Sequence, residues 1–167
     1  MKTNNINSKQ CTSTDIKDFL KARNNIKVRQ NTQKPEHIIS LEEHLKWWSN
    51  SFIKKFSVAY NNKVIGYHWI KVNLDERGKF ITTGWFLSDY SLDPLKLSFE
   101  ILKMQIKILD KEFFGMSWVS IHNKNNKFVE KLNFKVGFNE PSDLAKARAL
   151  KYLSSKNDNY RILEMFI

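Results

Sequence analysis

Residues 116–138, MSWVSIHNKNNKFVEKLNFKVGF, constrain the fold more than any other stretch. An apolar run of Met116, Trp118, Val119 and Ile121 stops at a polar knot, residues 122–126. A short amphipathic helix over 127–132 follows, then a second strand-like piece over 134–138 that ends on Gly137 and Phe138. A strand that delivers the chain to a helix start leaves backbone N–H groups unpaired at the elbow. Such an elbow suits the neck and phosphates of an anionic ligand.

The remaining elements follow from periodicity and turn chemistry. Residues 15–22 read as a helix with Ile16, Phe19 and Leu20 on one face. The polar stretch 24–35 reads as a loop. Ser40 with Glu43 three residues later is a capping box. It opens a helix over 41–50, with Leu41, Leu45 and Trp48 as its apolar stripe and His44 and Trp47 beside it. Strands follow over 56–60 and 64–72, joined at Asn61 and Asn62, where Asn tolerates positive φ. A third antiparallel strand covers 79–87. Asp93 as N-cap and Pro94 as first residue open a long helix with a polar stripe of Lys96, Glu100, Lys103, Lys107 and Asp110. Further strands are expected at 116–121 and 160–166, with a polar helix at 142–153. The order predicts an α+β domain, a central mixed and mostly antiparallel sheet flanked by helices. Residues 1–10 read as a disordered tail and 11–167 as a single domain.

Composition narrows the partners. The chain has 167 residues, 28 Lys+Arg against 17 Asp+Glu, and a net charge of +11. That excess favours anionic small molecules, although the basic residues are scattered and equally fit a biased composition. The signatures of nucleic-acid binding are absent, so that partner is disfavoured. Cys11 is the single cysteine, which excludes an internal disulfide. The four histidines are dispersed, and no metal is expected. No leader and no apolar run of about 20 residues is visible. A cytoplasmic location is the default expectation.

Two segments carry a resemblance. The strand–long helix–strand–short helix order ending in FVEKLNF, residues 128–134, resembles the GNAT superfamily of acyl-CoA N-acyltransferases. ISLEEHLKWW, residues 39–48, and KARNN, residues 21–25, resemble elements of bacterial GNAT enzymes that acetylate nucleotide-linked amino sugars in the pseudaminic acid pathway. The resemblance covers roughly residues 15–138. It implies a GNAT-like fold, acetyl-CoA as cosubstrate and transfer of its acetyl group to the amine of a nucleotide sugar. A homodimer is compatible with it. It places the acceptor against His44, Trp47, Trp48 and His68, and the donor against Trp85, Phe86, Leu87, Leu95, Lys96, Asn125 and Phe128. Backbone N–H groups near Phe86 and Leu87 would hold the thioester carbonyl. Candidate catalytic groups are His122, as base or acid at a strand end, and Asp89, as base. Each has a structural alternative: His122 bonding the elbow backbone, Asp89 capping a loop, His44 and the two Trp residues packing, His68 filling the core.

The departures from the family pattern are equally specific. The family places a glycine-rich loop before its long helix, whereas residues 90–95 here contain no glycine. Pro94 removes an N–H donor, and Asp93 sets a carboxylate where a diphosphate would lie. Lys96 partly offsets that charge. Val129 stands where the family often has an acidic Tyr, and His122 stands where it has Asn. These departures keep two further readings open. One is a GNAT-fold binding module, or an enzyme with another donor; the other is a protein or peptide N-terminal acetyltransferase.

Overall fold

The computed structural model describes residues 6–32, 34–153 and 159–167. Six strands form one mixed sheet in the order β1-β2-β3-β4-β5-β6: Ile6–Gln10, Ile53–Tyr60, Lys63–Asp75, Gly78–Leu87, Ser117–Asn123 and Tyr160–Phe166. The pairs β1/β2, β2/β3 and β5/β6 are antiparallel, and β4 runs parallel to β5 at Phe80 with Ser117 and Ile81 with Trp118. The helices are α1 Ile16–Arg23, α2 Ile26–Arg29, α3 Leu41–Trp48, α4 Pro94–Glu112, α5 Lys127–Val136 and α6 Asp143–Tyr152. This is the expected α+β architecture. None of the described helices is long and apolar enough to cross a membrane. Packing divides the chain into two compact units, residues 1–71 with 84–105, and residues 72–83 with 106–167.

In the first unit, Ile6–Gln10 corrects the expectation of a frayed tail. It is edge strand β1, paired from Ile6 opposite Tyr60 to Gln10 opposite Phe56. Its polar side chains hid it, because an edge strand is held by its backbone ladder more than by apolar alternation. Residues 1–5 of that expected tail lie outside the described residues. The β2–β3 hairpin turns at Asn61 (φ 47°) and Asn62 (φ 65°), as the Asn pair predicts. The loop expected over 24–35 contains the short helix α2, capped by Asn25 through its contact with the Lys27 N–H at 2.9 Å.

Helix α3 starts at the predicted capping box: the Ser40 Oγ accepts from the Glu43 N–H, and Glu43 accepts from the Ser40 N–H. Its inward face keeps Trp48 of the predicted stripe but not Leu41 or Leu45. Leu41 and Leu45 are exposed at 47% and 44%, whereas His44 is fully buried and Trp47 and Trp48 are half-buried. Positions 44, 47 and 48 share a face by helical spacing. Three rings packed on Phe19 bury more area than two leucines, and that decides which face turns in.

In the second unit, α5 extends through Val136, which corrects the strand-like reading of 134–138. Gly137 ends the helix at φ 110°, and its N–H and that of Phe138 return to carbonyls of the last turn. Phe138 then packs edge-on against Trp118 at 4.6 Å. Arg148 of α6 clamps Asp75 with two hydrogen bonds, 2.8 and 3.1 Å, a mostly buried pair within this unit.

His68 gives the first unit a titratable core. It is fully buried, stacked on Phe56 at 4.7 Å with planes 9° apart, and its Nε2 lies 3.0 Å from the Ser8 Oγ. Burial pushes its pKa from 6.5 down to about 3. The folded chain keeps this ring neutral while the unfolded chain protonates it below about pH 6.5. Its contribution to stability is therefore complete above that pH and is lost as pH falls toward 3. The urea midpoint is expected to drop from pH 7.5 to pH 5, with His68 adding up to about 1.4 kcal/mol per pH unit. His68→Leu should remove one proton from that slope. Equal slopes in the two proteins would exclude His68 as a source.

Candidate functional site

Within the first unit the chain gathers its aromatic residues around Phe19. The Phe19 ring lies 4.7 Å from Tyr67, 5.3 Å from Phe86, 5.4 Å from Trp48, 5.5 Å from Trp47 and 5.7 Å from His44. Helix α1 supplies Phe19 and Ala22, α3 supplies the face of 44, 47 and 48, and β3 and β4 supply Tyr67, Trp69 and Phe86. Trp69 closes the cluster edge-on to Trp47 at 5.9 Å. Its indole lies across the backbone of Gly84. A Cβ there would stand 1.9 and 2.1 Å from ring carbons of Trp69, so no other residue fits without moving the indole.

Two cations share this cluster. The Arg23 guanidinium carbon sits 4.5 Å from the Trp47 ring centre and 6.0 Å from that of Trp69. The Lys55 ammonium is 5.5 Å from Trp47 and 5.8 Å from Trp48, and donates to the carbonyls of Trp48 (2.6 Å) and Asn50 (3.0 Å). Burial lowers the pKa of Arg23 from 12.5 to about 10 and also lowers that of Lys55. Among the described residues no carboxylate lies within ion-pair distance of either cation. The Arg23 Nη1 is 3.4 Å from the His44 Nδ1, where the arginine can only donate and the histidine accepts. Burial, with Arg23 and then Lys55 adding repulsion, takes His44 down to about 4. His44 is therefore neutral at pH 7.

The sequence anticipated His44, Trp47, Trp48 and Phe86 individually, and the structure brings them together. His68 it places elsewhere, buried on Phe56. Arg23, Lys55 and Trp69 were missed as site residues. The available signal was the scarcity of arginine: a chain that uses Lys almost everywhere keeps Arg23 beside a Trp-rich helix.

At the end of β4, Phe86 and Leu87 are buried and Trp85 is half-buried. The chain then runs through a loop in which Asp89 and the Ile65 carbonyl take most of the bonds. The N–H groups of Ser88 and Asp89 go to the Ile65 carbonyl (2.9 and 3.3 Å). Asp89 accepts from the Ser91 N–H at 2.8 Å and pairs with Lys63 at 2.7 Å. Lys63 first, then Ser91, holds the Asp89 carboxyl far below the usual carboxylate range, which makes it a weak base. Asp93 caps α4 as predicted: its Oδ1 accepts from Leu95 (2.9 Å) and Lys96 (3.3 Å), and its carbonyl from Leu97 (3.1 Å). Leu95 and Lys96 themselves are exposed.

In the second unit, β5 delivers His122, 9% exposed, to the elbow. Neither ring nitrogen has a hydrogen-bond partner among the described residues. Burial outweighs the attraction of Glu130 and brings its pKa to about 4, so this ring too is neutral. Glu130 is engaged by Lys127 (2.7 Å) and Arg161 (3.1 Å), and Arg161 also pairs with Glu140. The elbow N–H groups are mostly taken: Asn125 and Asn126 by Asn123, Lys127 by Asn125, Val129 by Asn126. Asn125 and Phe128 are exposed. The elbow thus binds itself rather than presenting an open anion cradle.

Gly84→Ala is expected to destabilise by about 1–3 kcal/mol, the usual cost of overpacking, and to shift the tryptophan fluorescence as Trp69 leaves its place. Retention of the parent spectrum and urea midpoint would contradict the tight Trp69–Gly84 contact.

No family model matches the sequence, and no curated protein matches it. Solved structures do. An acetyltransferase of the GNAT family from Streptococcus pneumoniae is 12% identical, with TM-score 0.69, over 98% of this chain and 100% of that one. An aminoglycoside acetyltransferase in complex with coenzyme A is 11% identical, with TM-score 0.74, over 97% and 95%. The Campylobacter jejuni N-acetyltransferase PseH is 18% identical, with TM-score 0.59, over 96% and 97%. At these identities the likeness is one of fold: the chain has the fold of the GNAT acetyltransferases.

Proposed function

We propose that the chain is an N-acetyltransferase that moves an acetyl group from acetyl-CoA to an amine on an anionic, ring-bearing acceptor, of which a nucleotide-linked amino sugar is the best example. The observation that carries this reading is the pair Arg23 and Lys55 inside the Phe19 aromatic cluster, with no carboxylate at ion-pair distance among the described residues. A partly desolvated cation without a counter-charge is costly, and aromatic faces offset only part of that cost. A phosphate on the acceptor supplies the missing anion and can take two N–H bonds from the Arg23 fork. His44, neutral and accepting from Arg23, fixes the guanidinium in place. The exposed parts of Trp47 and Trp69 suit a planar base or the apolar face of a sugar. Support for acetyl transfer comes from the fold, which the CoA-bound aminoglycoside acetyltransferase shares.

Chemically, the neutral amine attacks the thioester carbonyl, backbone N–H groups at the end of β4 steady the developing oxyanion, and its collapse breaks the C–S bond, the thiolate leaving with a proton drawn from water. The amine proton passes to solvent. The log of kcat/KM should therefore rise with the amine's own ionisation and show no histidine limb between pH 5 and 8, where the buried His44 beside Arg23 stays neutral. A break near pH 6.5 that His44→Gln removes would contradict a neutral His44.

Arg23 is tested through the acceptor. Arg23→Lys keeps the charge but loses the planar fork. It is expected to raise KM for a phosphate-bearing acceptor about 10- to 100-fold with little change in kcat. The KM for a simple amine without phosphate should stay put. Equal effects on both acceptors would sink the anionic-acceptor reading. A GNAT-fold binding module is the second reading, and one observation favours it: Asp93 closes the helix start where a donor's diphosphate would otherwise bind.

A further inference from the structure

The start of α4 is the longest helix terminus in the fold and the strongest backbone dipole it offers to an anion. Each first-turn position is accounted for. Pro94 has no N–H. The Leu95 and Lys96 N–H groups point at the Asp93 Oδ1, and the Leu97 N–H bonds the Asp93 carbonyl. Upstream, the N–H groups of Ser88 and Asp89 bond the Ile65 carbonyl of β3, and that of Ser91 bonds the Asp89 carboxylate. In this stretch, among the described residues, only the N–H groups of Tyr90, Leu92 and Asp93 lack such a partner, and each is next in sequence to, or part of, one of the two aspartates. No glycine lets the backbone turn its N–H groups outward into a nest. A diphosphate arriving here would meet a carboxylate already bonded to the donors it needs, and would have to displace it against like charge.

From this arrangement we infer that the chain holds its acyl donor by the pantetheine arm alone, and that Asp93 keeps the donor's diphosphate off α4. This rests on the acyltransferase reading above and specifies its donor: a short acyl thioester of pantetheine, with the nucleotide end left unrecognised at the helix start. Asp93 is then a specificity determinant that acts by occupying a site, not by touching the reacting atoms.

Calorimetry with pantetheine, 4′-phosphopantetheine, dephospho-CoA and CoA on the full chain separates the contributions. The wild type is expected to bind pantetheine and dephospho-CoA with dissociation constants within about threefold of each other, because no first-turn donor is open to the diphosphate. Asp93→Gly opens the Leu95 and Lys96 N–H groups and should tighten dephospho-CoA about tenfold or more while leaving pantetheine unchanged. Asp93→Asn keeps an equally good cap but removes the charge, and should tighten dephospho-CoA about threefold. It carries the test if the glycine variant fails to fold. Dephospho-CoA binding the wild type more than about 30-fold better than pantetheine, with Asp93→Asn showing no gain, would overturn the inference and leave the acyltransferase reading standing. If neither pantetheine nor CoA binds at millimolar concentration, both fall together.

Discussion

The Phe19 ring is the contact on which the first unit depends. It touches five other rings drawn from α3, β3 and β4, and its own exposure is 0%. Each such ring pair adds about 0.5–1.5 kcal/mol beyond the area it buries, and edge-on contacts fix relative orientation as well as distance. Helix α3 is only eight residues long and would not persist alone in water. It stands because His44, Trp47 and Trp48 all close on that ring. The same packing explains why Arg23 and Lys55 can be desolvated without a carboxylate. Indole faces supply negative potential on one side, and the Trp48 and Asn50 carbonyls take the Lys55 protons. A salt bridge there would neutralise the site, whereas π faces leave its charge available to a ligand.

Much of the architecture was legible because the local signals agreed with one another. Strand β6, the Asn61–Asn62 hairpin, the Ser40 capping box and the Asp93–Pro94 helix start each combine a periodicity with a specific backbone requirement, and each is found where expected. The failures have a common physical origin. Strand β1 and helix α2 are held by main-chain bonds and one Asn cap, which leave little mark on apolar periodicity. The inward stripe of α3 was right at Trp48 and wrong at Leu41 and Leu45, because leucine outranks histidine on any apolar scale. In the fold, a neutral imidazole within an aromatic cluster is the better core residue. Helix α5 was cut short at Leu132, because Gly137 marks its end only when read as a left-handed cap rather than a strand terminus.

The site was legible in part for the same reason. Residues that form one continuous motif, 44–48, were found together. Arg23, Lys55 and Trp69 come from three other elements, and nothing in linear spacing joins them. Asp89 and Asp93 looked alike as loop carboxylates. The structure separates them by partner: Lys63 and the Ser91 N–H for the first, the α4 N-terminus for the second.

Anions are held in proteins either by backbone N–H groups or by side-chain cations, and the two routes make different demands on sequence. The backbone route needs glycine and open helix starts. This chain has five glycines, none in residues 88–97, and side chains close the starts of α4 and α5: Asp93 at α4, Asn126 with Asn123 at α5. The side-chain route needs a fork-shaped cation freed from internal ion pairs and kept from solvent. Arg23 meets both conditions, while Arg148 and Arg161 are each committed to carboxylates. On the proposed reading, anion recognition shifts from the backbone to the aromatic cluster. That shift follows from chain chemistry alone: a positive charge of +11 supplies cations freely, and a shortage of glycine leaves the backbone unable to do the same work.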